Sequence, residues 1–328
     1  MPKGVTSSSC LHGNRESRGL ECRPIVAVTS LSPPEPAEAK RRKGALLVFV
    51  AYLFWGVFPL YVRALARLRP IEILVHRMLW SAVFLLIILT VTRRWQWLRS
   101  LRAPRVWLVF AASAFVLSCN WFGFLWAVDR GRVIDASLGY FINPFVSVLL
   151  GTVLLRERLR VGQMIALVPA ALGVLWLAVQ TGHVPWIGLM LALSFGLYGF
   201  LRKTAPLGAL EGLMLETLIL SPVALSLFVF WTVTGQNGFV ASGGAFRALV
   251  MGAGPVTAVP LLLFAAGARR IPLSLAGVLQ YVGPSLQLVV GPLIFHEPFG
   301  FVRLVGFGLV WTALALYTAE GLWRSRRA

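Results

Sequence analysis

The chain has 328 residues, of which 58% are hydrophobic and 13% charged, with a formal net charge of +19. A mean hydropathy of +0.77 excludes a soluble domain, whose surface needs more charge than this chain holds. The positive excess does not mark a nucleic-acid partner. The basic residues lie between hydrophobic runs, where a bilayer places them, and are not gathered on one polar face.

Residues 1–39 differ in kind from the rest. Stretches such as "SSSCLHGNRESRGLECRP" and "SLSPPEPAEAK" are polar and rich in Ser and Pro, cannot build a core, and predict a disordered tail. From Gly44 onward, ten segments have roughly the 20-residue length a bilayer requires. They lie near 44–62, 72–92, 105–127, 135–155, 160–179, 184–203, 211–233, 245–267, 273–295 and 300–322. The expected class is an all-α integral membrane protein of ten transmembrane helices; a β-barrel would alternate in short segments instead. Trp95, Trp97, Trp107, Trp186 and Trp323 fall at segment ends, as interfacial anchors do.

Alternate loops carry unequal positive charge. One set of loops and ends, including Lys40–Lys43, Arg156–Arg160, Arg202, Lys203, Arg269 and Arg270, holds nineteen Lys and Arg; the other holds seven. The positive-inside rule then puts both termini in the cytoplasm of an inner (plasma) membrane protein. Arg63, Arg67 and Arg69 run against this bias.

The sequence repeats at an offset of 140. "SLGYFINPFVSVLLGTVLLRERLR" from Ser137 matches "SLAGVLQYVGPSLQLVVGPLIFHEP" from Ser274 in Pro144–Gly151–Glu157 against Pro284–Gly291–Glu297. The same offset pairs Gly56 with Gly196, Ser81 with Ser221, Phe124 with Phe264 and Arg130 with Arg270. The chain reads as two five-helix units, 44–179 and 184–322. Five is odd, so the second unit enters the membrane upside down. Such inverted repeats build secondary transporters around a shared site, although tandem duplication also serves simply to enlarge a bundle.

The blocks "HRMLWS", "CNWFGFLWAV", "ASLGYFINP", "LLRERL" and "SFGLYGFLRK" resemble the RarD-type members of the drug/metabolite transporter superfamily, a group associated by name with chloramphenicol sensitivity. The second half resembles the EamA domain of that group. The resemblance covers nearly everything after residue 44 and implies a ten-helix inner-membrane transporter without naming a substrate. The tail before Lys40 is longer than the family's usual start, which leaves an over-extended gene start as an alternative.

Tyr140, Asn143, Ser147 and Gly151 share one helix face, and Gln280, Gly283, Gln287 and Gly291 share the matching face of the ninth segment. Pro144 and Pro284 each remove an N–H and free a carbonyl beside these stripes. The stripes are expected to face the bundle interior, as substrate contacts or as helix–helix glue worth about 0.6–2 kcal/mol per hydrogen bond. Glu72 and His76 are four apart, with Arg77 adjacent; they read either as a functional group or as an ionic cluster fixing the helix at the membrane edge. Asn120 lies in the third segment. Glu216 lies in the seventh with no obvious adjacent cation, and its offset partner is His76. Histidine changes charge near neutral pH, and burial penalises a carboxylate's charge, so Glu216, Glu72 and His76 are the proton-coupling candidates. Tyr140, Asn143, Gln280, Gln287, Asn120, His76 and Arg77 are the substrate-path candidates; Tyr52, Trp55, Trp121 and Tyr198 are aromatic groups on which a solute would stack. Glu157 and Glu297 are expected to cap the following helix.

No nucleophile-and-base motif, phosphate loop or metal-ligand spacing appears among the three cysteines and four histidines. The chain is therefore read as neither an enzyme nor an ATP-driven pump, with no cofactor. Its expected partners are a small-molecule substrate and the lipid bilayer. Gly162–Ala166–Ala170 is a small-residue face for tight packing, within the chain or in a homodimer. The alternative to transport is a membrane-embedded scaffold or regulatory protein.

Overall fold

A computed structural model describes residues 36–130, 133–180, 184–295 and 300–325. The tail up to residue 35, His183, His296 and Glu297 lie outside the described residues. The described residues form α1 (Ala37–Ala64), α2 (Pro70–Val91), a 3-10 helix (Gln96–Arg102), α3 (Pro104–Asp129), α4 (Val133–Val153), α5 (Val161–Gln180), α6 (Trp186–Thr204) and α7 (Ala209–Val233). They continue as α8 (Gly244–Met251), α9 (Ala253–Ala268), α10 (Leu273–Leu279), α11 (Val282–Phe295) and α12 (Phe301–Ser325). Residues 37–39 belong to α1, so the tail ends earlier than its composition suggests: Ala and Glu favour a helix once Pro36 has set the turn.

Helix starts follow local chemistry. Pro70 occupies the first position of α2, where a missing N–H costs nothing, and the Glu72 carboxylate accepts the Arg69 backbone N–H at 3.1 Å. Gln163 does the same for α5, accepting the Arg160 N–H at 3.0 Å.

Two of the expected single spans are broken in the middle, and proline explains both. Pro255 deprives the Met251 carbonyl of its helical donor, and α8 stops there; Gly252 ends α8 and starts α9. Pro284 does the same to Gln280, whose carbonyl instead accepts the Gly283 N–H at 3.1 Å, so α10 and α11 separate at residues 280 and 281. Pro144, the offset partner of Pro284, lies inside an unbroken α4.

Among the described residues, six stretches are long and apolar enough to cross a membrane: Ala37–Ala64, Pro70–Val91, Pro104–Phe124, Val161–Gln180, Ala209–Val233 and Gly244–Ala268. Leu138–Val153 and Leu304–Tyr317 are shorter apolar helices. Large apolar side chains point outward from many of these, such as Leu108, Phe115 and Val161, a surface suited to lipid rather than water.

Helix α1 packs on α9, α10 and α11, and α6 packs on α3 and α4; α2 lies on α7 and α9, α3 on α7, α4 on α10, and α5 on α12. Glycines let two of these pairs close. A Cβ at Gly56 would stand 2.8 Å from Leu286, and one at Gly196 would stand 2.6 Å from Val146. The Gly162–Ala166–Ala170 face is taken by α12 of the same chain, with Ala170 packed among Phe307, Val310 and Ala313; it is not a free surface for a second copy.

Between α1, α6 and α9 the rings of Tyr52, Trp55, Phe195, Tyr198 and Phe264 form one cluster, with neighbouring centroids 5.3–6.2 Å apart. These rings belong to the main hydrophobic core.

Candidate functional site

Helices α2, α3, α7 and α9 meet around a cavity of about 20 Å³ lined by Arg77, Ser81, Trp121, Glu216, Thr217 and Thr257 among leucines. That volume accommodates one or two waters or a group of similar size.

Arg77 forms one wall. Its Nε donates to Thr257 Oγ1 at 2.9 Å, and its guanidinium lies 4.8 Å from the Phe58 ring centroid and 4.9 Å from that of Trp121. Two such stacks are worth about 0.5–2 kcal/mol each and one charged hydrogen bond about 1.5–3 kcal/mol. Together they offset part of the several kcal/mol that desolvating an unpaired ion costs. Tyr61 and Tyr140 are its electrostatic neighbours.

Glu216 forms the opposite wall. Its carboxylate is 1% exposed and accepts Ser113 Oγ at 2.5 Å and Arg202 Nη1 at 3.3 Å, both on Oε1. Arg202, equally buried, also donates through Nη2 to Ala209 O at 2.9 Å and lies 5.5 Å from the Phe110 ring centroid. The pair requires Gly212: a Cβ there would collide with the Arg202 guanidinium and stand 2.5 Å from Phe110 Cε1. Glu216 Oε2 makes no hydrogen bond, and the Tyr198 hydroxyl lies beside this carboxylate outside hydrogen-bonding geometry.

This arrangement corrects the expectation that Glu216 lacks a cation. Arg202 supplies one from α6, although in the sequence it counts as a loop charge. Neighbouring positive-loop residues are drawn in as well. Lys203 donates to Ile271 O and Ala268 O and lies 3.7 Å from Glu157, and Arg269 donates to Leu207 O and Ala205 O.

Glu72, His76 and Arg77 do not form one cluster. Glu72 is held by Arg69 at 2.9 Å and by the Gly238 N–H at 3.3 Å. The Arg69 side chain, outside the helix, is held charged at higher pH than an ordinary arginine by that hydrogen bond. His76 is buried against Phe239 and Phe228, at centroid distances of 4.8 and 5.7 Å, and its Nδ1 has no partner.

The polar stripes are mostly occupied by helix–helix contacts. Asn143 is buried and accepts Ser147 Oγ at 3.3 Å. Gln280 accepts the Tyr52 hydroxyl at 3.5 Å, and Gln287 donates to Trp55 O at 3.2 Å. Asn120 bridges α3 to α6 through Leu191 O at 2.9 Å and Ser194 Oγ at 3.0 Å. Tyr140 is 36% exposed. Pro144 lies against Gly277 of α10. Glu157 does cap a helix, but not the one that follows it: it accepts the Leu273 and Ser274 N–H groups at 2.7 and 3.1 Å, at the start of α10. The cap joins the two halves of the sequence.

Sequence reasoning missed Arg202, Ser113, Thr257, Phe58 and Gly212. The repeat offset offered no help, because the offset partner of Arg202 is Val62 and that of Thr257 is Leu117. Among the described residues no group of three metal-ligating side chains is assembled.

Fold and site together define a helical, multi-pass membrane protein with ionised groups held inside its bundle. The chain belongs to the EamA-like transporter family, whose model matches residues 42–179. It is 44% identical over 294 residues to an uncharacterized transporter of Pseudomonas aeruginosa, covering 89% of this chain and 98% of that one. It is 43% identical over 284 residues to the uncharacterized transporter YojE of Bacillus subtilis, covering 85% and 95%. It is 37% identical over 288 residues to the protein RarD of Escherichia coli, covering 87% and 97%. A known crystal structure, 20% identical, superposes with a TM-score of 0.64 over 84% of this chain and 98% of the other; it shows the fold alone. The chain is thus a member of a transporter family and not an enzyme.

Proposed function

We propose that the chain is a secondary transporter, a permease or exporter, that moves a small organic molecule across the inner (plasma) membrane by alternating access coupled to protons. Its working parts are two inverted five-helix repeats, 44–179 and 184–322, with both termini in the cytoplasm.

Packing supports the repeat. Exchanging α1–α5 for α6, α7, the broken eighth span (α8–α9), the broken ninth (α10–α11) and α12 maps contacts onto contacts. The α1–α9 pair becomes α6–α3, α1–α11 becomes α6–α4, and α2–α9 becomes α7–α3. The match extends to residues, since Gly56 against Leu286 and Gly196 against Val146 are one contact under the offset. Offset partners also meet directly: Trp55 with Phe195 at 5.6 Å, and the Tyr281 hydroxyl with Phe141 O at 3.2 Å. Such self-meetings are expected beside a two-fold axis.

The observation that carries the transport reading is the buried Arg202–Glu216 pair at the wall of the cavity. Ionised groups inside a bilayer are costly and mark transport paths by default. Protonation of Glu216 would remove its attraction to Arg202 and loosen α6 from α7, coupling proton uptake to a change of opening. Tyr140, an electrostatic neighbour of Arg77, would lie on the path of the solute.

The test is flux into proteoliposomes for a broad metabolite library, with and without a pH gradient. Gradient-driven movement of at least one solute, lost in Glu216→Gln while the variant stays folded, is the expected result. Full activity in that variant would remove Glu216 from the mechanism. No flux of any solute under any gradient would favour a membrane scaffold or regulator instead.

A further inference from the structure

We propose that the transported molecule is a small organic anion whose carboxylate, a group of the size the cavity accommodates, pairs with Arg77 through both terminal guanidinium nitrogens, its apolar body entering as the cavity widens beside Trp121 and the neighbouring leucines. This deepens the transport reading and rests on it.

The first support is charge matching. The neighbouring carboxylates already have cations: Glu216 has the buried Arg202, Glu157 has Lys203, and Glu72 and Glu211 have the more exposed Arg69 and Arg94. Arg77 has no carboxylate partner among the described residues, although it lies within α2 and lines the cavity. Its electrostatic neighbours are two phenols, which are neutral at physiological pH. An ion taken from water without a counter-ion is left short of stabilisation, and an anionic substrate completes it.

The second support is the geometry of the fork. Thr257 takes the Nε hydrogen, and Phe58 and Trp121 flank the guanidinium, so the plane is fixed. The two terminal nitrogens make no hydrogen bond among the described residues. A planar guanidinium held by its inner edge presents its outer edge to a carboxylate in the bidentate arrangement that lysine cannot reproduce. The opposite wall does not compete, because the Glu216 charge is already met by Arg202.

The experiment measures thermal stabilisation of the full chain in lipid nanodiscs by a graded series of monocarboxylates. The series runs from formate through hexanoate to phenylacetate and indole-3-acetate, each beside its neutral amide. The expected result is saturable stabilisation by at least one acid and at least tenfold weaker binding of its amide. Arg77→Gln should abolish the response, and Arg77→Lys should weaken it at least tenfold by losing the fork. The comparison of acid with amide in the unmodified protein stands even where a variant fails to fold. A protein that ignores every acid, or binds acids and amides alike, overturns the proposal, as does an Arg77→Gln variant that responds like the parent. The transport reading is judged separately, by flux. Neutral or cationic solutes moving equally well through the parent and through the Arg77→Gln variant would keep transport and discard the anion site; proteoliposomes that move nothing would discard transport.

Discussion

Replacing Arg202 with Met leaves the Glu216 carboxylate buried with Ser113 alone. The two charged atoms stand 3.3 Å apart and both side chains are 1% exposed, so solvent screens the pair little. At an effective dielectric constant of about 20 their attraction is roughly 5 kcal/mol, much of it offset by the cost of stripping two ions of water. The net contribution of the intact pair is therefore small, while removing one partner costs about 3–5 kcal/mol. Arg202→Met and Glu216→Leu should each lower the free energy of SDS-induced unfolding in mixed micelles by that amount. The double variant removes both ions at once. It should lose far less than the sum of the two, leaving mainly the Arg202–Ala209 hydrogen bond, about 1.5–3 kcal/mol, and a coupling energy of at least about 2 kcal/mol. Losses that add to within about 0.5 kcal/mol would refute the buried pair.

Three further outcomes are expected. Gly56→Ala and Gly196→Ala should each cost about 1–3 kcal/mol in the same unfolding assay by overpacking; a cost at one position only would contradict their equivalence. Glu157→Gln should cost about 1 kcal/mol, since the start of α10 keeps a weaker acceptor, and limited proteolysis should then cleave the 268–274 segment faster. Asn120→Leu should cost about 0.6–2 kcal/mol while leaving solute flux unchanged, because its amide bridges α3 to α6 instead of facing the cavity; a flux defect at unchanged stability would return Asn120 to the path.

Much of the fold is legible from hydropathy, because a bilayer allows few ways to bury a backbone. Segment ends agree with the helix ends within a few residues for α2, α3 and α5–α7. The breaks at Gly252 and Gln280 are less visible. Proline at Pro144 and Pro284 is equally evident in the sequence, yet only the second interrupts its helix. The site is harder to read. Arg77 and Glu216 stand out because charge in an apolar run is costly, but their partners come from other helices: Thr257 lies 180 positions from Arg77, and Ser113 lies 103 positions from Glu216. Arg202, at the end of α6, looks like a loop charge until the chain folds inward. The stripe residues share a helical face in the sequence, but their partners come from another helix, Trp55 O for Gln287 and Tyr52 for Gln280.

The reading of two oppositely inserted copies is tested most directly by side-specific labelling of a cysteine-free background. Ser100→Cys, in the 3-10 helix between α2 and α3, and Val240→Cys, in the turn between α7 and α8, are offset partners at exposed positions. A membrane-impermeant maleimide added to intact spheroplasts should label the Val240→Cys variant and spare the Ser100→Cys variant, and inside-out vesicles should reverse the pattern. Labelling of both variants from the same side would mean that the second copy is not inverted, and the shared cavity could not open alternately to the two faces.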